Sequence, residues 1–134
     1  MPSVVVHDLM QATAAARAAY AEGASLTLRS APGVGRTLGV AGWLALAEAT
    51  KAALPGADLA FSLDCADLPG DAHAALSFGA GRIALSTNVP AYERIADIAS
   101  KQGAIMDGDA PDLDLAFIHD PEAAVRRLLR PTLA

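Results

Sequence analysis

The sequence predicts an α/β protein, an open three-layer α/β/α sandwich around a mainly parallel sheet of five or six strands. Three observations carry this. Short runs rich in Val, Ile and Leu alternate with longer segments of helical composition, which is the signature of repeated strand-to-helix steps. Gly or Pro punctuates most of the helical segments near their ends. The 134 residues suit one compact domain, residues 1–134, with a real core and no room for two ordinary ones.

Each element has its own reason. "SVVV" (3–6) is short and β-branched, and "HDLMQATAAARAAYAEG" switches to helix, with Asp8 and Gln11 spaced as a capping box and Gly23 as the stop. "SLTLRS" (25–30) alternates as a strand; "APGVGRTLG" is loop. "VAGWLALAEATKAALPG" places Trp43, Leu44, Ala47 and Leu54 near one helical face before Pro55 and Gly56 close it. "LAFSLD" is the third strand, with a helix to follow inside "GDAHAALSFG". "RIALST" is the fourth, and "PAYERIADIASKQG" a helix opened near Pro90 and closed at Gly103. "AIMDG" and "LDLAF" compete for a fifth strand or supply a fifth and a sixth. "DPEAAVRRLLR" has Asp120 as N-cap, Pro121 at the first helical position and arginines toward the C-terminal end. Right-handed crossovers then favour helices on both faces, a flavodoxin-like arrangement.

Composition narrows the function. A net charge of −5 with only two lysines, Lys51 and Lys101, argues against nucleic acid, whose phosphates need clustered cations. Hydrophobic residues are 53% but aromatics 4%, so alanine supplies much of the apolar count and Val, Ile and Leu must build the core. No stretch of about 18 apolar residues and no basic-then-apolar leader occurs, so no membrane partner and a soluble, cytoplasmic protein are expected. A single cysteine, Cys65, can make neither an intramolecular disulfide nor a zinc site alone.

Ligands of parallel sheets usually bind where the strand C-termini emerge. That rule gathers His7 and Asp8 after strand one, Arg29 and Ser30 after strand two, Asp64, Cys65 and Asp67 after strand three, and Ser86, Thr87 and Asn88 after strand four; Asp107 or His119 joins them. The loop "SAPGVGRT" (30–37) sits where a phosphate loop would, but has Ser30 and Arg36 in place of its first glycine and its lysine. Gly33, Gly35, Arg36 and Thr37 remain anion-binding candidates through backbone N–H groups and a helix N-terminus. The plainer reading of Asp64, Asp67 and Asp71 is that they cap turns and a helix, and of Cys65 that it is a small buried hydrophobe.

The segment "ALAEATKAALPGADLAFSLDCADLPGD" (45–71) resembles the middle of response-regulator receiver domains, and "LAFIHDPEAAVRRLLR" (115–130) resembles their ending. The resemblance implies Asp64 as phosphoacceptor, Asp8 as one acidic metal ligand and Ser86 or Thr87 as the hydroxyl after the fourth strand. It also implies a degenerate receiver: His7 stands beside Asp8 where an acidic pair belongs, and Ile118 or His119 stands where a lysine belongs. Two other steps, "AYAEGASLTLRS" and "IASKQGAIMDG", are similar to those of aldolase-type (β/α) barrel enzymes, but both lysines fall in helices, away from Schiff-base positions.

The leading expectation is a non-catalytic, receiver-like regulatory or ligand-binding module whose crevice takes a partner protein or a small anionic ligand. The first alternative is a small enzyme with a divalent ion such as Mg²⁺ at Asp8 and Asp64, acting on a phosphorylated or carboxylated molecule held by Arg29 or Arg36. The second is a structural homo-oligomer that buries alanine-rich helices.

Overall fold

Every predicted strand-to-helix step is present in the computed structural model, which describes residues 1–131. β1 (Ser3–Val5) leads to α1 (Leu9–Glu22), and β2 (Leu26–Arg29) to a 3₁₀ turn over Val34–Arg36 and then α2 (Val40–Ala53). β3 (Leu59–Asp64) leads to α3 (Pro69–Ser77), β4 (Arg82–Ala84) to α4 (Tyr92–Gln102), and β5 (Ile105–Met106) to β6 (Leu113–Asp114) and α5 (Pro121–Leu129). The two competitors for the last strand thus both form one, each only two residues long.

The protein is α/β with one open six-stranded sheet, ordered β5-β4-β3-β2-β1-β6. The pairs β1–β2, β1–β6, β3–β4 and β4–β5 are all parallel. A flavodoxin-type order, 2-1-3-4-5, has β1 between β2 and β3; here the neighbours of β1 are β2 and β6. From β1 to β5 the neighbours are instead consecutive, as successive βα units are in (β/α) barrels. Among the described residues no helix is long and apolar enough to cross a membrane.

The contacts divide the chain into two units. The first comprises Met1–Arg29, Leu46–Ala60 and the chain from Pro111 onward; the second comprises Ser30–Ala45 and Phe61–Ala110.

In the first unit, Val4 pairs with Leu28 on one side and Leu113 on the other, so these three side chains share a face of the sheet. Val4, Val6, Leu26 and Leu28 are almost wholly buried. α1 packs on α5 and buries six alanines, Ala12, Ala14, Ala15, Ala16, Ala18 and Ala19. Small side chains let the helix approach closely but supply little apolar area each. Ion pairs reinforce the helix pair: Arg17 Nε lies 2.7 Å from Glu122, and Glu22 Oε1 accepts from Arg126 at 2.9 Å and Arg130 at 3.1 Å. The side chain of Glu22 is only 16% exposed. Hydrogen bonding to Arg126 holds its carboxyl below the usual value of 4.5; burial opposes this, and Arg130 adds to it.

The caps of α1 show how sequence fixes an entry. The Asp8 carboxylate accepts from the Gln11 N–H at 2.7 Å, and Gln11 Oε1 accepts in return from the His7 N–H at 2.7 Å, one residue before the cap. Gly23 ends the helix in the left-handed region, φ 61°, as its sequence position predicts.

In the second unit, register gives the sheet two unlike faces. Leu63 pairs with Ile83, and Asp64 with Ala84. Alternation therefore puts Leu63, Cys65, Ile83 and Leu85 on one face, all buried. α3 and α4 pack on each other and on β4 and β5, burying Ala72, Ala75, Leu76, Ile95 and Ala99. The other face carries Ser62, Asp64, Arg82 and Asp107. There Arg82 grips Asp107 with two bonds, Nη2 to Oδ1 at 2.6 Å and Nε to Oδ2 at 3.3 Å, and the Ser62 hydroxyl donates to Asp107 Oδ2 at 2.5 Å. With side chains 23% and 16% exposed, this pair is largely withdrawn from water. Trp43, 2% exposed, packs edge-on against Phe61 with ring centroids 6.3 Å apart.

Candidate functional site

The loops after β3 and β4 build a concavity of the second unit. At the end of β3 the Asp64 carboxylate accepts from the Ala66 N–H at 2.9 Å, closing a tight Asx turn. Ala66 takes φ 51°, the left-handed region that a non-glycine residue enters at a cost of about 1–2 kcal/mol. That twist aims the Ala66 carbonyl at β4, where it accepts from the Ser86 N–H at 2.8 Å; just before it, the Cys65 N–H donates to Ala84 at 2.8 Å. The two loops are thereby laced into one rim.

Beside this rim lies a cleft of about 360 Å³ lined by Asp67, Pro69, Ser86, Asn88, Val89 and Pro90. Pro69 opens α3 at its first turn. The Ser86 carbonyl accepts from Val89 at 3.2 Å, and its hydroxyl oxygen accepts from the Asn88 N–H at 3.3 Å. Asp67 and Asn88 are exposed, Ser86 half-buried and Val89 buried. The lining therefore offers one carboxylate, one hydroxyl and one amide over apolar walls, and no Lys or Arg.

Ser30 is wholly buried behind the rim and structural in its bonds: its hydroxyl oxygen accepts from the Asp64 N–H at 2.8 Å and its hydroxyl donates to the Ala31 carbonyl at 3.0 Å. The glycine-rich loop uses its own amides. Gly33 N–H donates to Asp64 O, Arg36 to Gly33 O, and Thr37 and Gly39 to Val34 O. A Cβ on Gly35 would collide with the Asp71 carboxylate, so any larger residue there would have to displace that side chain. Asp71 Oδ2 is buried without a hydrogen-bond partner, which sets a negative group against the loop where an anion would approach. Arg36 and Thr37 are exposed.

Cys65 is 1% exposed, and its thiol is pushed up to about 12, first by burial and then by the charges of Asp71 and Asp64. At neutral pH it is a protonated, inert side chain. Thr87 is exposed beside the cleft.

The remaining candidates belong to the first unit. Asp8 caps α1. His7 Nε2 lies 2.6 Å from Asp114 Oδ1, which also accepts from the Ala116 N–H at 2.9 Å. Burial works against the Asp114 charge, but the Ala116 and His7 bonds prevail and keep its carboxyl below the usual 3.8. Arg29 ends β2, half-buried, and His119 stands exposed before the Asp120 cap of α5. Asp8 and Asp64 thus fall in different units. Among the described residues no group of three or more His, Cys, Asp or Glu is placed to hold a metal ion.

Sequence reasoning named Asp67, Ser86 and Asn88 but not the apolar walls that make a cleft of them. It missed the Asp71 approach to Gly35, for which no local signal exists, and the pairing of Asp114 with His7. The chain matches no protein-family model and no curated protein.

Proposed function

We propose that the protein is a non-catalytic ligand-binding module, and that its ligand sits in the cleft at the ends of β3 and β4. The observation that carries this reading is the cleft itself, with Asp67, Ser86 and Asn88 as polar anchors over Pro69, Val89 and Pro90. Its chemistry sets the ligand class. A lone carboxylate with a hydroxyl and an amide suits a small hydroxylated or amine-bearing molecule; a free phosphate or carboxylate would meet Asp67 with no cation in compensation. The glycine-rich loop of residues 30–37 suggested an anionic ligand; the lining of this cleft favours a neutral or cationic one.

The test is a panel of polyols and small amines against phosphates and carboxylates, read by thermal shift and amide chemical shifts. Binding by the first group, with perturbations at Asp67 and Ser86–Pro90 and loss in Asp67→Asn and Ser86→Ala, is the expected result. Binding by phosphates alone, or perturbations centred on Gly33–Thr37, would overturn the ligand class. A separate arm with Mg²⁺ and beryllofluoride, on wild type and Asp64→Asn, is expected to leave the protein unchanged. Stabilisation that vanishes in the mutant would restore a receiver-like switch at Asp64.

A further inference from the structure

The loops after β1 and β6, in the first unit, display an apolar surface for which the fold has no internal use. Phe117 is fully exposed, Met10 is 75% exposed and Leu9 45%. These residues belong to one end of the unit because His7 pairs with Asp114 and the Gln11 side chain donates to the Leu115 carbonyl at 3.3 Å. The Ile118 N–H donates to the Leu115 carbonyl at 3.2 Å, closing a turn with Phe117 at its third position and φ 60°. Glycine is the unstrained choice there. An aromatic ring held in water on a left-handed backbone gains nothing inside its own chain, whereas exposed aromatics of this kind anchor interfaces.

The surroundings state what can cover it. Asp8, Asp114 and Asp120 are exposed around the patch, and neither Lys nor Arg occurs from Met1 to Gln11 or from Leu113 to Asp120. The other titratable groups there are His7 and His119, while on the α5 side Asp120 shares a cleft with Glu122, Arg126, Arg127 and Arg130, so Asp8 and Asp114 carry the acidic rim. A second copy would bring this acidic rim against itself on a chain of net charge −5. We propose that these two loops dock a basic, apolar segment of another protein, with Phe117 and Met10 set among its aliphatic side chains. Its Lys or Arg residues pair with Asp8 and Asp114 and stack on the Phe117 ring.

The experiment titrates the isotope-labelled full chain with a 14-residue Lys/Leu amphipathic peptide and with its Glu/Leu counterpart. The Lys/Leu peptide is expected to shift amides within His7–Gln11 and Ala116–Asp120, and the Glu/Leu peptide to shift none. Phe117→Gly removes the ring while relaxing the backbone, so it should fold at least as well as wild type yet bind about tenfold more weakly or worse. Equal affinity in Phe117→Gly, or shifts centred elsewhere, would overturn the proposal in favour of charge attraction alone. Sedimentation that reveals a dimer abolished by Phe117→Gly would overturn it in favour of a second copy.

Discussion

After β3 and β4 the loops are concave and tied to each other: Ala66 bonds Ser86, Cys65 bonds Ala84, and a polar cleft lies beside them. After β1 and β6 the loops are also tied, through His7–Asp114 and Gln11–Leu115, yet they turn their apolar residues outward. Both regions place one non-glycine residue in the left-handed region, Ala66 at φ 51° and Phe117 at φ 60°. What differs is the service that the strain performs. At Ala66 it turns a carbonyl into a cross-loop acceptor; at Phe117 it holds a ring away from the chain. Similar backbone geometry can therefore serve fold in one place and recognition in another.

The largest effect expected from breaking this comparison lies beneath the concave loops. Asp107→Ala removes the partner of Arg82 and the acceptor of the Ser62 hydroxyl, leaving a mostly buried cation uncompensated. A loss of about 3 kcal/mol is expected in denaturant unfolding, at the lower end for buried pairs because both side chains keep some water. A loss below about 0.5 kcal/mol would show that the pair is solvated. The intermediate effect tests the strain directly: Ala66→Gly relieves a left-handed alanine and should leave stability unchanged or raise it by up to about 1 kcal/mol. Ala66→Val in the same assay should destabilise. Equal stability of the two variants would contradict the assigned backbone.

The smallest effect concerns the helix clamp of the first unit. The Glu22 carboxyl is held below its usual value chiefly by Arg126. A depressed carboxylate contributes stability that is present above its unfolded value of about 4.5 and is lost as pH falls through the lower folded value. Glu22→Gln should therefore be less stable than wild type at neutral pH and converge with it in acid. A difference that stays constant through acid would assign the effect to packing rather than charge.

Much of the fold was legible because it is written locally. The third strand, "LAFSLD", is β3 residue for residue, and Asp8, Gly23, Asp120 and Pro121 mark helix ends where their chemistry demands. Strand order was not legible, since "LDLAF" beside "SVVV" is a pairing between residues more than a hundred positions apart. The site was half legible for the same reason. Asp64, Asp67, Ser86 and Asn88 follow from the rule that strand C-termini gather chemistry, but the Arg82–Asp107 grip depends on register. Arg126, which the sequence places only toward the C-terminal end of the last helix, is bound to Glu22 because α1 and α5 pack together.

β5 and β6 stand at the two ends of the strand order. β5 and β6 contribute two residues each, so neither presents a long row of unpaired N–H and C=O groups to a passing chain. β6 also carries the exposed charge of Asp114, which discourages strand addition further. At high concentration the folded protein should therefore resist fibril growth by edge-to-edge pairing, even though Ile105 on β5 is 48% exposed. The brevity of its outermost strands thus acts as protection against amyloid-like assembly.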